Sequence, residues 1–328
     1  MITLTHNDRM ATTTTRLLLA TTLTAALTLP LPAHATTHAH TDYPGHTTRR
    51  YVPLTNTTNA QAHEHGCAEG RTGTSGPRIL FFGTQEKNDT LREPGRTAST
   101  STPRSPYTKA AQYAHHWAQG FTQCRTGQAT AELALGINNK QDSGLTGAHA
   151  GQRWAHFVTT TRQNSTTEAV TITTALDAEP SWSSPTWARD WLTAYTNTTT
   201  IPLYAANSAD SCPTNTNTTN CANGWKLADV HHMAGGGNPN IHAIPQIYRT
   251  DGIQARQWAT ISRWGHANTG DPLRFAGAMS QHTACKQRSC NKTDNTPQQS
   301  WNQLKNALDA HHTTRTDTLG PATDMRWP

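Results

Sequence analysis

The stretch Ala169-Val-Thr-Ile-Thr-Thr-Ala-Leu-Asp-Ala-Glu-Pro-Ser-Trp182 runs from a β-branched segment into two acids spaced i, i+2. Val, Ile and Thr are stiff at χ1 and suit a pleated surface, so the segment reads as a strand. Alternate strand residues share a face, which turns Asp177 and Glu179 the same way with Cα atoms roughly 6.5 to 7 Å apart. Two carboxylates at one strand end suit glycosidic cleavage: one protonates the leaving oxygen, the other attacks or stabilises the positive transition state. The plainer use of Asp-x-Glu is an exposed loop or a helix cap, and the surrounding sequence decides between the two.

Outward from this stretch, short apolar runs alternate with helical spacing. Arg78-Ile-Leu-Phe-Phe-Gly83 reads as a buried strand before a helix at Tyr107–Gln123. Glu132-Leu-Ala-Leu-Gly-Ile137 precedes a helix at Gly151–Gln163, and Ala169–Leu176 precedes one at Pro185–Tyr195. Ile201–Tyr204 leads into a Cys-closed loop, and a less regular segment, Leu227–Met233, follows. His242–Tyr248 with helix Gly252–Trp264, then Leu273–Met279 before a helix at Gln298–His311, complete the series. Repeated strand and helix implies parallel pairing. About seven strands in roughly 250 residues fit an α/β fold, a (β/α) TIM-like barrel that is irregular or has fewer than eight strands; an open doubly wound sheet is the alternative.

Residues 1–35 read as an export signal: Arg9 and Arg16 precede a short apolar core from Leu17, and Ala33-His-Ala35 is a cleavage site. The core is too short and interrupted to span a membrane, so a secreted, extracellular or cell-wall-associated product is expected. Residues 36–66 are Thr- and His-rich and read as a disordered tail or linker, 67–315 as the barrel domain, and 316–328 as a C-terminal tail. Glu86–Pro106, crowded with Thr, Ser, Arg and Pro, reads as a long loop. Six cysteines in an exported chain suggest three disulfides. The close pairs Cys212 with Cys221 and Cys285 with Cys290 leave Cys67 with Cys124, among fifteen conceivable pairings.

Strand C-terminal ends face the active site of a barrel, so the residues there are the candidates for binding. They are Gln85 after the first expected strand, Asn138 and Asn139 after the second, Asp177 and Glu179, then Asn207 and Asp210. His231 and His232 follow on the uncertain segment, then Gln246 and Tyr248, and lastly Gln281. Amides dominate this set, and an amide both donates to and accepts from hydroxyl-rich ligands. Trp182 is placed to stack on a sugar, whereas Trp187 and Trp191, at i, i+4 on a helix, suit the core.

Other chemistries find little support. No Gly-x-Ser-x-Gly elbow occurs, and Gly235-Gly-Gly237 precedes Asn-Pro and a strand instead of opening a helix, which argues against a phosphate loop. No Cys-x-x-Cys or His-Glu-x-x-His appears, so neither a metal nor another cofactor is expected. The formal charge of +6 is dispersed, without the aromatic-interleaved basic cluster of a nucleic-acid binder. The oligomeric state is not legible.

The strand ending in Leu-Asp177-Ala-Glu179 resembles the Asp-x-Glu signature of glycoside hydrolase family 25, the lysozyme-like muramidases. Leu135-Gly-Ile-Asn-Asn139, Asp177-Ala-Glu-Pro-Ser-Trp182, Ala206-Asn-Ser-Ala-Asp210 with Cys212, Asn223-Gly-Trp225 and Pro245-Gln-Ile-Tyr248 resemble more closely a group of actinobacterial secreted proteins with a glycoside-hydrolase-like barrel. That second resemblance spans most of residues 78–312 and carries no assigned activity. The muramidase likeness implies Glu179 as general acid, Asp177 as its supporting carboxylate, and a polysaccharide or peptidoglycan as partner. Family 25 enzymes carry an aspartate at the end of the first strand, where this sequence has Gly83-Thr-Gln85. The departure implies either a substitute acid, Asp210 or Glu86, or a catalytically silent barrel that binds carbohydrate or cell wall.

Overall fold

In the computed structural model, which describes residues 42–328, strands and helices alternate almost throughout. The order is β1 (His46–Tyr51), α1 (Asn59–Gly70), β2 (Gly76–Glu86), β3 (Thr90–Arg92), β4 (Arg104–Pro106) and α2 (Tyr107–Cys124). Then come β5 (Ala131–Asn138), α3 (Gly147–Ser165), β6 (Val170–Asp177), α4 (Pro185–Thr198), β7 (Leu203–Ala205) and α5 (Leu227–Met233). The chain continues through β8 (Ile241–Ala243), α6 (Ile253–Thr269), β9 (Met279–Ser280), α7 (His282–Arg288), α8 (Pro297–Asp309) and β10 (Ala322–Arg326).

Eight of these strands lie side by side in the order β8-β7-β6-β5-β2-β1-β10-β9, every pair parallel. The two ends of the sheet meet through parallel bridges, Ala243 with Phe275 and Gln246 with Met279, so the sheet curls into a (β/α) barrel. β3 and β4 extend β2 as an antiparallel flap.

Two apolar layers follow from strand alternation. Ile79, Phe81, Ala134, Ala175, Tyr204 and Met279 point into the ring, while Leu80, Phe82, Leu133, Leu135, Ile172 and Leu176 face the helices. Phe81 fits inside the ring because Gly136 opposite has no side chain; a Cβ there would lie 2.7 Å from its ring. Trp117, Trp154, Trp191, Trp225 and Trp258 are fully buried. Each removes roughly 4 to 6 kcal/mol worth of apolar surface from water, as an upper estimate. Ser and Thr N-caps start four of the eight described helices: Thr58, Thr146, Ser184 and Thr296 each accept a backbone N–H of the first turn.

Disulfides join Cys67 to Cys124, Cys212 to Cys221 and Cys285 to Cys290, the expected pairs, and no free cysteine is found among the described residues. No described helix is long and apolar enough to cross a membrane. The expected export signal, and residues 36–41 of the expected tail, lie outside the described residues.

Several boundaries differ from expectation. The supposed tail contains β1 and the first two turns of α1, and the supposed C-terminal tail contains β10, next to β1 in the ring. Both strands read as polar because inward positions are held by Thr47, Arg49 and Tyr51 on β1 and Thr323 on β10; of these strands' residues, Arg49, Tyr51 and Met325 line the cavity described below. The strand from Arg78 is therefore the second in the ring, and the ring has eight members where about seven were expected. Leu227–Met233 is a helix, and the loop after Glu86 carries the β3–β4 flap.

Candidate active site

At the C-terminal end of the ring is a cavity of about 260 Å³. Asp177 and Glu179 reach it because Ala175, Asp177 and Glu179 share the inward parity of β6 and its extension. Two buried amides from neighbouring strand ends hold that extension. Asn139 accepts from the Glu179 backbone N–H (3.0 Å) and donates to the Glu179 carbonyl (3.1 Å) and the Ser183 hydroxyl (2.7 Å). Asn207 accepts from the Ala178 N–H at 2.9 Å and donates to the Met233 carbonyl at 3.2 Å.

One side chain joins the two acids. Gln246 Nε2 donates to Asp177 Oδ1 at 2.8 Å and to Glu179 Oε1 at 3.2 Å. Asp177 also faces Arg49, with Nη2 3.7 Å from Oδ2, and is hydrogen-bonded to the Tyr51 hydroxyl. Arg49 is itself fixed from several sides. It donates to the hydroxyls of Tyr248 (3.1 Å) and Tyr51 (2.9 Å), and its Cζ lies 4.7 Å from the Phe81 ring centre. Burial holds both phenols above their ordinary range, so they remain neutral hydrogen-bonding groups.

The acids differ in environment. Burial raises Asp177 to about 6, opposed first by Arg49 and then by the Gln246 bond. Burial, and next the Asp177 charge, push Glu179 up to about 8. Burial and mutual repulsion thus favour protonation of the pair, and Glu179, facing the Asp177 charge with less help from Arg49, is the weaker acid of the two.

Aromatic groups edge the cavity. Trp182 and Trp327 are both half-buried; the Lys140 ammonium lies 4.9 Å from the Trp182 ring centre, and Trp327 stacks on Tyr51 at 4.5 Å. Asn138, Gln281 and Tyr248 also line it. Asn138 accepts from Thr84 at 3.0 Å, and Gln281 donates to the Thr293 carbonyl at 2.9 Å.

The remaining expected site residues serve other ends. Gln85 is buried outside the ring, donating to Tyr107 and the Ala150 carbonyl and accepting from Trp191, because a register shift between Phe81 and Thr84 turns it toward the helices. Gly83 permits that shift at φ +99°, with Arg92 O 2.1 Å from where its Cβ would sit. Asn139 and Asn207 support the loop backbone and do not line the cavity. Asp210 accepts from Ser181 at 2.8 Å, off the cavity wall, though its charge adds to the upward push on both acids. Glu86 pairs with Arg92 and Arg104. His231 and His232 lie on α5, where His231 bonds the Asp271 carbonyl and packs against Trp264. Arg49, Tyr51, Lys140 and Trp327 were not anticipated; the i, i+2 spacing of Thr47, Arg49 and Tyr51 was the available signal.

No group of three or more His, Cys, Asp or Glu side chains suited to a metal occurs among the described residues. No family model matches the sequence, and no curated protein matches it. Among solved structures the chain is similar to the endo-1,4-β-mannanase from Rhizomucor miehei, at 7% identity and TM-score 0.45 over 87% of this chain and 86% of that one. It is also similar to the endo-β-1,4-mannanase from Thermotoga petrophila, at 9% identity and TM-score 0.43 over 86% of this chain and 68% of that one. At this distance no residue role is carried over from either.

Proposed function

We propose that the chain is a secreted glycoside-hydrolase-like protein that acts on a cell-wall or other polysaccharide by acid-assisted cleavage. The observation that supports this reading is the Gln246 amide spanning two buried acids, of which Glu179 is the harder to ionise. Glu179 would protonate the departing glycosidic oxygen, Asp177 would stabilise positive charge on the sugar, and Trp182 would offer a stacking face. Three disulfides and an export-like leader support the extracellular placement.

A second reading is a catalytically silent carbohydrate- or wall-binding barrel, favoured because Asp177 and Glu179 are the only acids among the described residues that line the cavity. Screening the purified protein against peptidoglycan and common glycans, beside Glu179→Gln, separates the two. A hydrolase loses roughly 10²- to 10⁴-fold in rate with that change while glycan binding persists. A Glu179→Gln variant as fast as the parent refutes the acid role; binding without turnover by the parent selects the silent barrel.

A further inference from the structure

The cavity continues into a groove. A second depression of about 470 Å³ shares Pro94, Gly95 and Trp327 with the cavity and adds Glu93, Arg96 and Arg288 to its lining. Trp327 is thus a common wall, with the acid pair on one side and two arginines on the other. Arg288 lies over the Trp327 ring, its Cζ 3.2 Å from the centroid, as Lys140 lies over Trp182. Trp327 lies between Tyr51 and Arg288, whereas Trp182 has one cation fixed to it, so a sugar stacked on Trp182 would present its substituents to Lys140 and one passing Trp327 would meet Arg288.

Lys140, Arg96 and Arg288 form no ion pair among the described residues. The acid lining the groove, Glu93, is buried and turned to Thr55, whose backbone N–H lies 2.8 Å from Oε1 and whose hydroxyl bonds the same oxygen. In the cavity Arg49 already answers Asp177, and Glu179 is the harder of the two acids to ionise. The side chains lining cavity and groove include four cations, Arg49, Lys140, Arg96 and Arg288, against three acids, Asp177, Glu179 and Glu93, an excess that hydroxyl-binding chemistry alone does not need.

We propose that this groove receives an anionic saccharide, its acidic groups held by Arg96, Arg288 and Lys140 while the bond to be cleaved lies at Glu179. The inference rests on the glycan reading of the cavity and deepens it by naming the substrate's charge. Carboxylate and phosphate substituents share this chemistry, and the guanidinium forks of the two arginines can donate to the oxygens of either.

The test measures binding of the whole protein to two matched pairs, oligogalacturonate with its methyl ester and phosphorylated with unphosphorylated mannan, by calorimetry at low and high salt. The expected result is an acid preference of about 10-fold in at least one pair, which identifies the anion, shrinking several-fold between 50 and 500 mM salt at roughly the screening those concentrations impose. In Arg96→Gln/Arg288→Gln, two exposed positions, the acid-to-neutral ratio falls toward one. Equal binding within both pairs overturns the proposal, as does an acid preference that survives the double substitution. If neutral glycans bind, weaken with Trp182→Ala and show no charge preference, the anionic assignment fails while the glycan site stands. If the parent binds none of the four, both fail.

Discussion

Replacing Glu179 by Gln should make the protein more stable at alkaline pH, although the position lies in the candidate site. The carboxyl is held up to about 8 in the folded chain, by burial first and by the Asp177 charge second, against an ordinary value of 4.5. A carboxyl raised on folding binds more protons in the native state than in the unfolded one, so stability falls as pH climbs between those two values. Its contribution is fully present below about 4.5 and lost through about 8. Taken whole, that difference amounts to roughly 4 to 5 kcal/mol once Glu179 is ionised. Because the side chain opens onto a solvated cavity and shares its proton with Asp177, about half of that, ~2 kcal/mol, is the expected measurable effect. Gln keeps the shape and can still accept the Gln246 N–H. Urea unfolding from pH 4.5 to 9 should therefore show a declining parent curve and a flatter variant curve. The two should nearly coincide at the acid end, with the variant ~2 kcal/mol, or about 4 °C in Tm, ahead at pH 9. Parallel curves would refute the burial argument and return Glu179 to an ordinary exposed carboxylate.

If the chain is a hydrolase, an aryl glycoside whose leaving group needs no proton should rescue Glu179→Gln to within about 10-fold of the parent while leaving Asp177→Asn impaired; steady-state rates on activated and unactivated substrates decide it. Asn139→Ala should cost ~2 kcal/mol or more in denaturant unfolding, and loosen glycan binding, because three bonds to the 179–183 turn go at once; a loss under ~0.5 kcal/mol would deny it that role. Gly120→Ala should destabilise by more than ~3 kcal/mol, since its Cβ would lie 2.0 Å from the His63 carbonyl at the α1–α2 crossing; a thermal melt within 2 °C of the parent, about 1 kcal/mol, would show that the helices separate easily. Cys67→Ala/Cys124→Ala should lose roughly 4 kcal/mol, as expected for a bridge spanning 57 residues, and the parent should yield no labelled thiol under non-reducing denaturation.

The parts of the fold legible in the sequence are those where one physical requirement dominates. β2, β5 and β6 are buried on both faces, and they read as continuous apolar or β-branched runs. The helices α2, α4 and α8 show an apolar stripe and were placed within a few residues. β1 and β10 were illegible because their inward positions meet the polar cavity, so Arg49 occupies a place where a strand pattern calls for an apolar side chain. The site followed the same division. Asp177, Glu179, Gln246, Tyr248, Asn138, Gln281 and Trp182 line the cavity since a parallel barrel gathers its strand ends. Gln85 left the set through a one-strand irregularity at Gly83 that no periodicity displays. Trp327 lies after a strand too short and polar to be seen.

The same geometry constrains how the acids could work. Gln246 holds one oxygen of each at 2.8 and 3.2 Å, so the two oxygens are at most about 6 Å apart with the amide between them. Acids that flank a glycosidic bond approach it from opposite faces, roughly 5 to 5.5 Å apart for double displacement and 6.5 to 9.5 Å for a single one. Asp177 and Glu179 leave one strand end in one direction, with the amide bridging them. Asp177 therefore stands beside the proton donor, suited to countering positive charge and not to attack from the far face. Beside the acids the cavity is lined by Arg49, Tyr51 and Trp327, none of them an anionic nucleophile. Turnover at this site would take its nucleophile from water or from the saccharide itself, and a site with neither would bind without cutting. The distinction between hydrolase and silent barrel thus lies in what the bound sugar brings to the face opposite Glu179.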